Sequence, residues 1–213
     1  MHYRKVNNPG MINIGKYTTS KKELVDLFKS WLVISIAFSI VRIGFNLSFD
    51  FLETLLISAI TVGTAFLLHE IGHKLVAQHY GCFAEFRSND KMLIVGLLLS
   101  FLGFIFFAPG AVLISGIVGK RRNGIISAAG PGTNFLFAVL FIVMMFIVSG
   151  EFWFNLALFG YLVNTYLGLF NMIPFLIFDG KKILQWNKAV YYIMLAIGFI
   201  LLFSQNIITG IVQ

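Results

Sequence analysis

The sequence predicts an all-α polytopic membrane protein with about six transmembrane helices and a short extended re-entrant segment. Three observations predict it. Hydrophobic residues make up 58% of the 213, and Phe alone occurs 24 times. A soluble domain of this size could not hide that much apolar surface, so the solvent must be lipid. Charged residues make up only 12%, about half the usual share for a soluble domain. The apolar residues gather in six runs, at roughly 30–48, 54–79, 91–118, 125–149, 153–178 and 189–210.

Residues 1–29 read as a cytoplasmic N-terminal segment, and 30–213 as the membrane domain. The first 20 residues are polar and predict an interfacial strand or loop. With no apolar stretch before about Trp31, they do not resemble a cleaved secretory signal. Ser20 and Glu23 have capping-box spacing, and Leu24, Leu27, Phe28 and Trp31 recur at helical spacing. This is a short amphipathic lead-in to the first span, with no chemistry assigned to it. Five of the six runs fit one helix each, since a span needs about 20 residues. The run at 91–118 is too long for one helix and too short for two. Pro109-Gly110 divides it into a helix to about Ala108 and an extended return. About ten extended residues can recross the hydrocarbon at ~3.3 Å each. Such backbone must be buried against protein or line a wet cavity.

Charge supports the return. The net charge of +7 sits between apolar runs, where it orients a membrane protein and gives no reason to expect nucleic acid. Arg4, Lys5, Lys16, Lys21, Lys22 and Lys29 place the N-terminus in the cytoplasm. The connections near Asp50 and Glu151, and Gln213, then face outside and carry no Lys or Arg. Those with Arg87 and Lys91, with Lys120, Arg121 and Arg122, and with Lys181, Lys182 and Lys188 face inside. The assignment works only if 91–118 begins and ends on the cytoplasmic side.

The second run contains Leu68-His69-Glu70-Ile71-Gly72-His73. Histidines at i and i+4 project from one helical face, and their imidazoles can share one Zn²⁺ at about 2.0–2.1 Å. Glu70, displaced around the helix, can take a proton from water without ligating the metal. In a soluble helix this pattern is more often a solvated polar face. At mid-bilayer an ionisable residue costs about 2.5–3.5 kcal/mol, so a polar cluster there points to function. A catalytic zinc site needs a third protein ligand. Of the nine Asp and Glu residues, Glu70 and Asp179 alone lie within or at the end of an apolar run, away from lead-ins and outer loops. Pro174 interrupts the preceding helix, and Gly180 permits a tight turn. Asp179 is either the third ligand or a helix-end carboxylate paired with Lys181 or Lys182. Beside the histidine pair, the ligand is preferred.

Three stretches in order, His69-Glu70-Ile71-Gly72-His73, Ala129-Gly130-Pro131-Gly132-Thr133-Asn134 and Asn171-x-x-Pro174-x-x-x-x-Asp179-Gly180, resemble the site-2 protease family of intramembrane zinc metalloproteases. The resemblance covers about residues 54–182, the family's three-helix catalytic core. It implies that His69, His73 and Asp179 bind one Zn²⁺ and that Glu70 activates water. It also implies that Asn171 lies in the active site, holding substrate backbone or the oxyanion. The sequence has no PDZ or CBS segment of the kind many members add, so regulation through one is not expected.

The residues agree with that placement. His73 lies about seven residues, roughly 10 Å, from the cytoplasmic end of its helix. Asp179 approaches from the same side, so the active site falls in the cytoplasmic half of the bilayer. The small residues at Ala128–Gly130 and Gly132 let helices pack closely. Asn134 is equally an interhelical hydrogen bond or a catalytic group. Arg42 is read as snorkelling to the outer interface, and the Phe-rich 101–107 stretch as lipid-facing or core packing. His79 and Cys82 are set aside as ligands, one at a helix end and the other in a loop. Around Pro109–Val112 an extended edge could pair with a substrate strand. The expected activity is metal-assisted hydrolysis of a membrane-spanning protein substrate. A divalent metal transporter and a catalytically inactive membrane binding protein are the rivals.

Overall fold

Ser20 has extended backbone and its hydroxyl accepts from the Glu23 N–H, so a helix begins where the capping spacing places it. The structure is a computed structural model that describes residues 10–105, 109–116 and 118–212. Arg4, Lys5 and the expected helix end near Ala108 lie outside them. Helix α1 runs without a break over Lys21–Ile43, so the lead-in and the first span are one element. Before it, β1 (Met11–Ile14) and β2 (Tyr17–Ser20) pair as an antiparallel hairpin.

The second run forms α2 (Phe49–Ser58), a π-helical turn at Ala59–Gly63 and α3 (Thr64–His79), continuous over 31 residues. The wide turn has identifiable partners. Trp31 Nε1 donates to the Ala59 carbonyl at 3.0 Å. Gly63 leaves room for the indole, since a Cβ there would come within 2.6 Å of Trp31 Nε1 and of Ser35 Oγ. A π turn re-phases the helix beyond it, and here it precedes His69 by one and a half turns.

The third run departs from expectation. Helix α4 covers only Asp90–Ser100, and Phe101–Gly103 then turn, with Gly103 at φ +80°. Eleven residues reach about 16 Å, half the hydrocarbon thickness. The extended return is present as β4 (Gly110–Ser115), paired antiparallel with β3 (Phe83–Ser88), a strand between two apolar runs that the sequence reading did not anticipate. Phe86 pairs with Val112 and Ala84 with Ile114. The Phe86 N–H donates to Glu23 Oε1, and the Ala84 carbonyl accepts from Gln78 Nε2. Both point away from β4, so these are the non-hydrogen-bonded pairs of the ladder. The N–H and C=O of Val112 and Ile114 therefore project from the opposite edge of β4, where no further strand is paired among the described residues.

Helices α5 (Lys120–Ile147) and α6 (Glu151–Asn171) pack side by side, with Gly160 and Gly168 of α6 admitting the rings of Phe141 and Phe135. The chain after α6 turns through Met172–Phe178 into α7 (Asp179–Trp186), then α8 (Lys188–Phe203) and α9 (Gln205–Val212). One core cluster joins Phe135, Tyr161, Met172, Ile183, Tyr191 and Leu201. The Tyr191 hydroxyl donates to the Met172 carbonyl at 3.0 Å, which fixes the start of the turn leading to Asp179. Among the described residues, four helices are long and apolar enough to cross a membrane: Lys21–Ile43, Phe49–His79, Lys120–Ile147 and Lys188–Gly210. Helix α6 has the length, but Asn155, Asn164 and Asn171 dilute its apolar character. Phe101, Leu102 and Phe104 are exposed, as a lipid-facing stretch would be. Arg42 is exposed too, with its guanidinium over the Phe159 ring at 4.7 Å.

Candidate metal centre

His69 and His73 stand one turn apart on the face of α3 that packs against α5. Close approach at that contact comes from two glycines. A Cβ on Gly72 would lie 2.7 Å from Thr133 Oγ1, and one on Gly130 would overlap both imidazoles. Asp179 reaches the same point from the start of α7. Gly180 behind it packs on the Met172 carbonyl, where a Cβ would collide with backbone. Leu176 takes a left-handed conformation, φ +53°, in the turn that delivers the aspartate. A bulky residue there is rare and marks a backbone held by its surroundings.

The three donor atoms form a small triangle. His69 Nε2 and His73 Nε2 are 3.0 Å apart, and Asp179 Oδ2 is 3.4 Å from the first and 3.0 Å from the second. All three side chains are buried. A tetrahedral ion with bonds of 2.0–2.1 Å sets its ligand atoms about 3.3 Å apart. The histidine tautomers agree. His69 Nδ1 donates to Asn134 Oδ1 at 2.6 Å, and His73 Nδ1 donates to the Ile126 carbonyl at 2.8 Å. Each neutral ring then carries its proton on Nδ1 and turns an Nε2 lone pair inward. Two lone pairs and a carboxylate oxygen in such contact repel unless a cation lies among them. The donor set fits a zinc ion.

Asp179 faces both ways: its Oδ2 lies against the two histidines, and its Oδ1 lies 3.6 Å from Lys182 Nζ. Glu70 opens on the same cavity of about 390 Å³ as the three donor residues. Val112, on the free edge of β4, lines the same cavity as Glu70. Pro109 to Val112 and Leu176 to Phe178 line the cavity. Asn171 lines the cavity but lies apart from the triangle, its amide donating to the Leu167 carbonyl of its own helix at 3.0 Å. His79 is exposed at the end of α3, and Cys82 is buried in the loop after it. Neither joins the donor group.

Asn134 makes interhelical hydrogen bonds, with a consequence for the site. Its Nδ2 donates to the Ala65 carbonyl and to Asn164 Oδ1, which turns its Oδ1 toward His69. Asn164 and the Ile126 carbonyl escaped the sequence reading. Asn164 carried a usable signal, a polar residue in the middle of an apolar helix. The Ile126 carbonyl carried none, because any residue supplies one.

A candidate zinc metalloprotease of Methanocaldococcus jannaschii is 38% identical over 178 residues, covering 82% of this chain and 90% of that protein. Rip2, a candidate zinc metalloprotease of Mycolicibacterium smegmatis, is 31% identical over 135 residues, 55% of this chain and 52% of that one. No family model matches, and no solved structure does. With a relative at this identity over most of both chains, and the three signature stretches meeting at one buried donor triangle, the chain belongs to the site-2 protease family of zinc metalloproteases.

Proposed function

We propose that the protein is an intramembrane endopeptidase that hydrolyses peptide bonds of membrane-spanning proteins. In this reading His69, His73 and Asp179 hold one zinc ion, and Glu70 is the general base. The observation that carries it is the convergence of three donor atoms at 3.0–3.4 Å beside Glu70, in a cavity walled by an unpaired strand edge. Zinc held there supplies Lewis acidity, polarising the scissile carbonyl and bringing the pKa of water to about 7.

The chain's own groups do the rest. A helical substrate shields its carbonyls and must unwind before it can be cut. The outward N–H and C=O groups of Val112 and Ile114 hold the unwound segment extended by strand addition. Glu70 takes a proton from the attacking water and passes it to the leaving amine, and the C–N bond breaks. Asn171, swung off the Leu167 carbonyl, donates to the oxygen of the scissile carbonyl as charge develops there. Leu176, Ile177 and Phe178 receive apolar substrate side chains.

The basic connections support a cytoplasmic N-terminus, with the site in the cytoplasmic half of the bilayer. Helix α6 then makes a fifth crossing beside the four longer or more apolar ones. The β3–α4–β4 excursion enters and leaves from the cytoplasmic side, with the catalytic core at about 54–182. The test is cleavage of a single-span reporter by purified protein in detergent. Cleavage is expected to vanish in Glu70→Gln and on chelation, and to return when zinc is added to the chelated wild type. Zinc flux across vesicles that persists in Glu70→Gln, with no reporter cut by the wild type, would refute the reading in favour of transport.

A further inference from the structure

Glu23 lies in the first turn of α1, far along the chain from the signature stretches, yet none of its surface is exposed. Its carboxylate is fully engaged. Oε2 accepts from Thr19 Oγ1 at 2.7 Å and from Lys74 Nζ, itself buried, while Oε1 accepts from the Phe86 N–H at 2.9 Å. Lys74 follows His73 on α3. Phe86 sits opposite Val112, whose outward edge lines the cavity. One carboxylate thus joins the helix that carries the histidines and Glu70 to the sheet that forms the facing wall. Neighbouring bonds brace the same joint: Gln78 Nε2 to the Ala84 carbonyl and to Thr18, and Ser20 Oγ to Glu85. A buried ion pair of this kind gives little net stability over well-packed apolar residues, because desolvating both charges offsets their attraction. What it retains is direction: an acceptor fixed under one backbone N–H.

We propose that Glu23 is a positioning residue for substrate, setting the separation between the α3 face bearing Glu70 and the β4 edge that receives the unwound segment. The proposal rests on the proteolytic reading, since the cleft it sets is the substrate cleft. Two double variants isolate the acceptor from the charge. E23Q/K74M removes both charges but leaves a carbonyl oxygen to accept from Phe86. E23M/K74M removes the acceptor as well. Zinc content is measured for each, with kcat and KM on a single-span reporter in detergent. Both variants should bind zinc like the wild type. E23Q/K74M should keep KM within about twofold, and E23M/K74M should raise it about tenfold with kcat little changed, the effect of one lost hydrogen bond in placing substrate.

An independent readout needs no turnover. Spin labels at Leu75→Cys on α3 and Leu113→Cys on β4, both exposed positions, in a Cys82→Ala background should report a broadened distance distribution in E23M/K74M alone. Equal KM values and equal distance distributions in the two variants would overturn the proposal. So would loss of zinc or of folded protein in E23M/K74M, which would assign Glu23 to folding rather than positioning. If the wild type cleaves no reporter, the proteolytic reading fails, and the label distances still decide whether Glu23 sets the cleft.

Discussion

Replacing Asn134 by leucine, which keeps the branch at Cγ but carries no hydrogen-bond acceptor, should weaken zinc binding. Asn134 is wholly buried, and its Oδ1 receives the His69 Nδ1 proton at 2.6 Å. Leucine leaves that N–H without an acceptor, and neither tautomer of His69 is then preferred. It also strips Asn164 Oδ1 of its donor, while the Ala65 carbonyl keeps its place in the helix. Removing the partner of a ligating histidine typically costs 10–100-fold in metal affinity, or about 1.4–2.7 kcal/mol. The buried, short bond here argues for the upper half of that range. Asn134→Asp keeps an acceptor for His69 and should retain zinc better than the leucine variant, although it too leaves Asn164 Oδ1 without a donor. Competition with a chromophoric chelator in detergent measures both affinities. Zinc affinity for Asn134→Leu within twofold of wild type would refute the reasoning and leave Asn134 as a packing residue.

Two contrasts test the local geometry. Gly130→Ala places a methyl against both imidazoles and should abolish stoichiometric zinc, whereas Gly132→Ala, two residues on, meets open space and should keep it; metal analysis of the purified proteins decides. Val112→Pro deletes an N–H that points away from β3, so the sheet should survive while cleavage of a membrane-spanning reporter falls at least about tenfold. Ala111→Pro instead removes an N–H directed at Arg87 of β3 and should lower the thermal midpoint; Val112→Pro with undiminished cleavage would show that substrate does not add to this edge.

The centre was legible because its signals are local and survive a change of solvent. Histidines four apart share a helical face whether lipid or water surrounds the helix, so His69 and His73 could be paired from spacing alone. Asp179 stood out because it and Glu70 alone among the acidic residues lie within or at the end of an apolar run, with Pro174 and Gly180 allowing the turn, and the structure puts its Oδ2 within 3.4 Å of both imidazole nitrogens. The extended segment after Pro109 was legible for the same reason, although its partner was not. Strand β3 has no local mark, since Phe83–Ser88 mixes polar and apolar residues and becomes a strand by pairing with a segment more than twenty positions later. The length of α4 was misjudged because Phe101–Ile105 is as apolar as the helix before it. With lipid as solvent, hydropathy reports burial in the bilayer and says little about where a helix stops.

The N-terminal lead-in shows how the solvent inverts a sequence signal. Leu24, Leu27, Phe28 and Trp31 recur at helical spacing, and in water that stripe would turn inward. Here Leu24 is 49% and Phe28 61% exposed, while Glu23, Asp26 and Ser30 are buried. The stripe divides: Leu27 and Trp31 pack against protein, whereas Leu24 and Phe28 stay outward because an apolar side chain gains little by leaving lipid, and a carboxylate gains a great deal by finding Lys74 and an N–H. The capping spacing hid the same residue. Ser20 does cap the Glu23 N–H, but the Glu23 side chain, read as the reciprocal half of the box, is spent on Phe86 and Lys74 instead. In a chain dissolved in lipid, charged residues on a helical stripe are therefore better read as addresses within the fold than as a solvated surface. By that rule Glu23 is addressed to α3 and β3, through Lys74 and the Phe86 N–H.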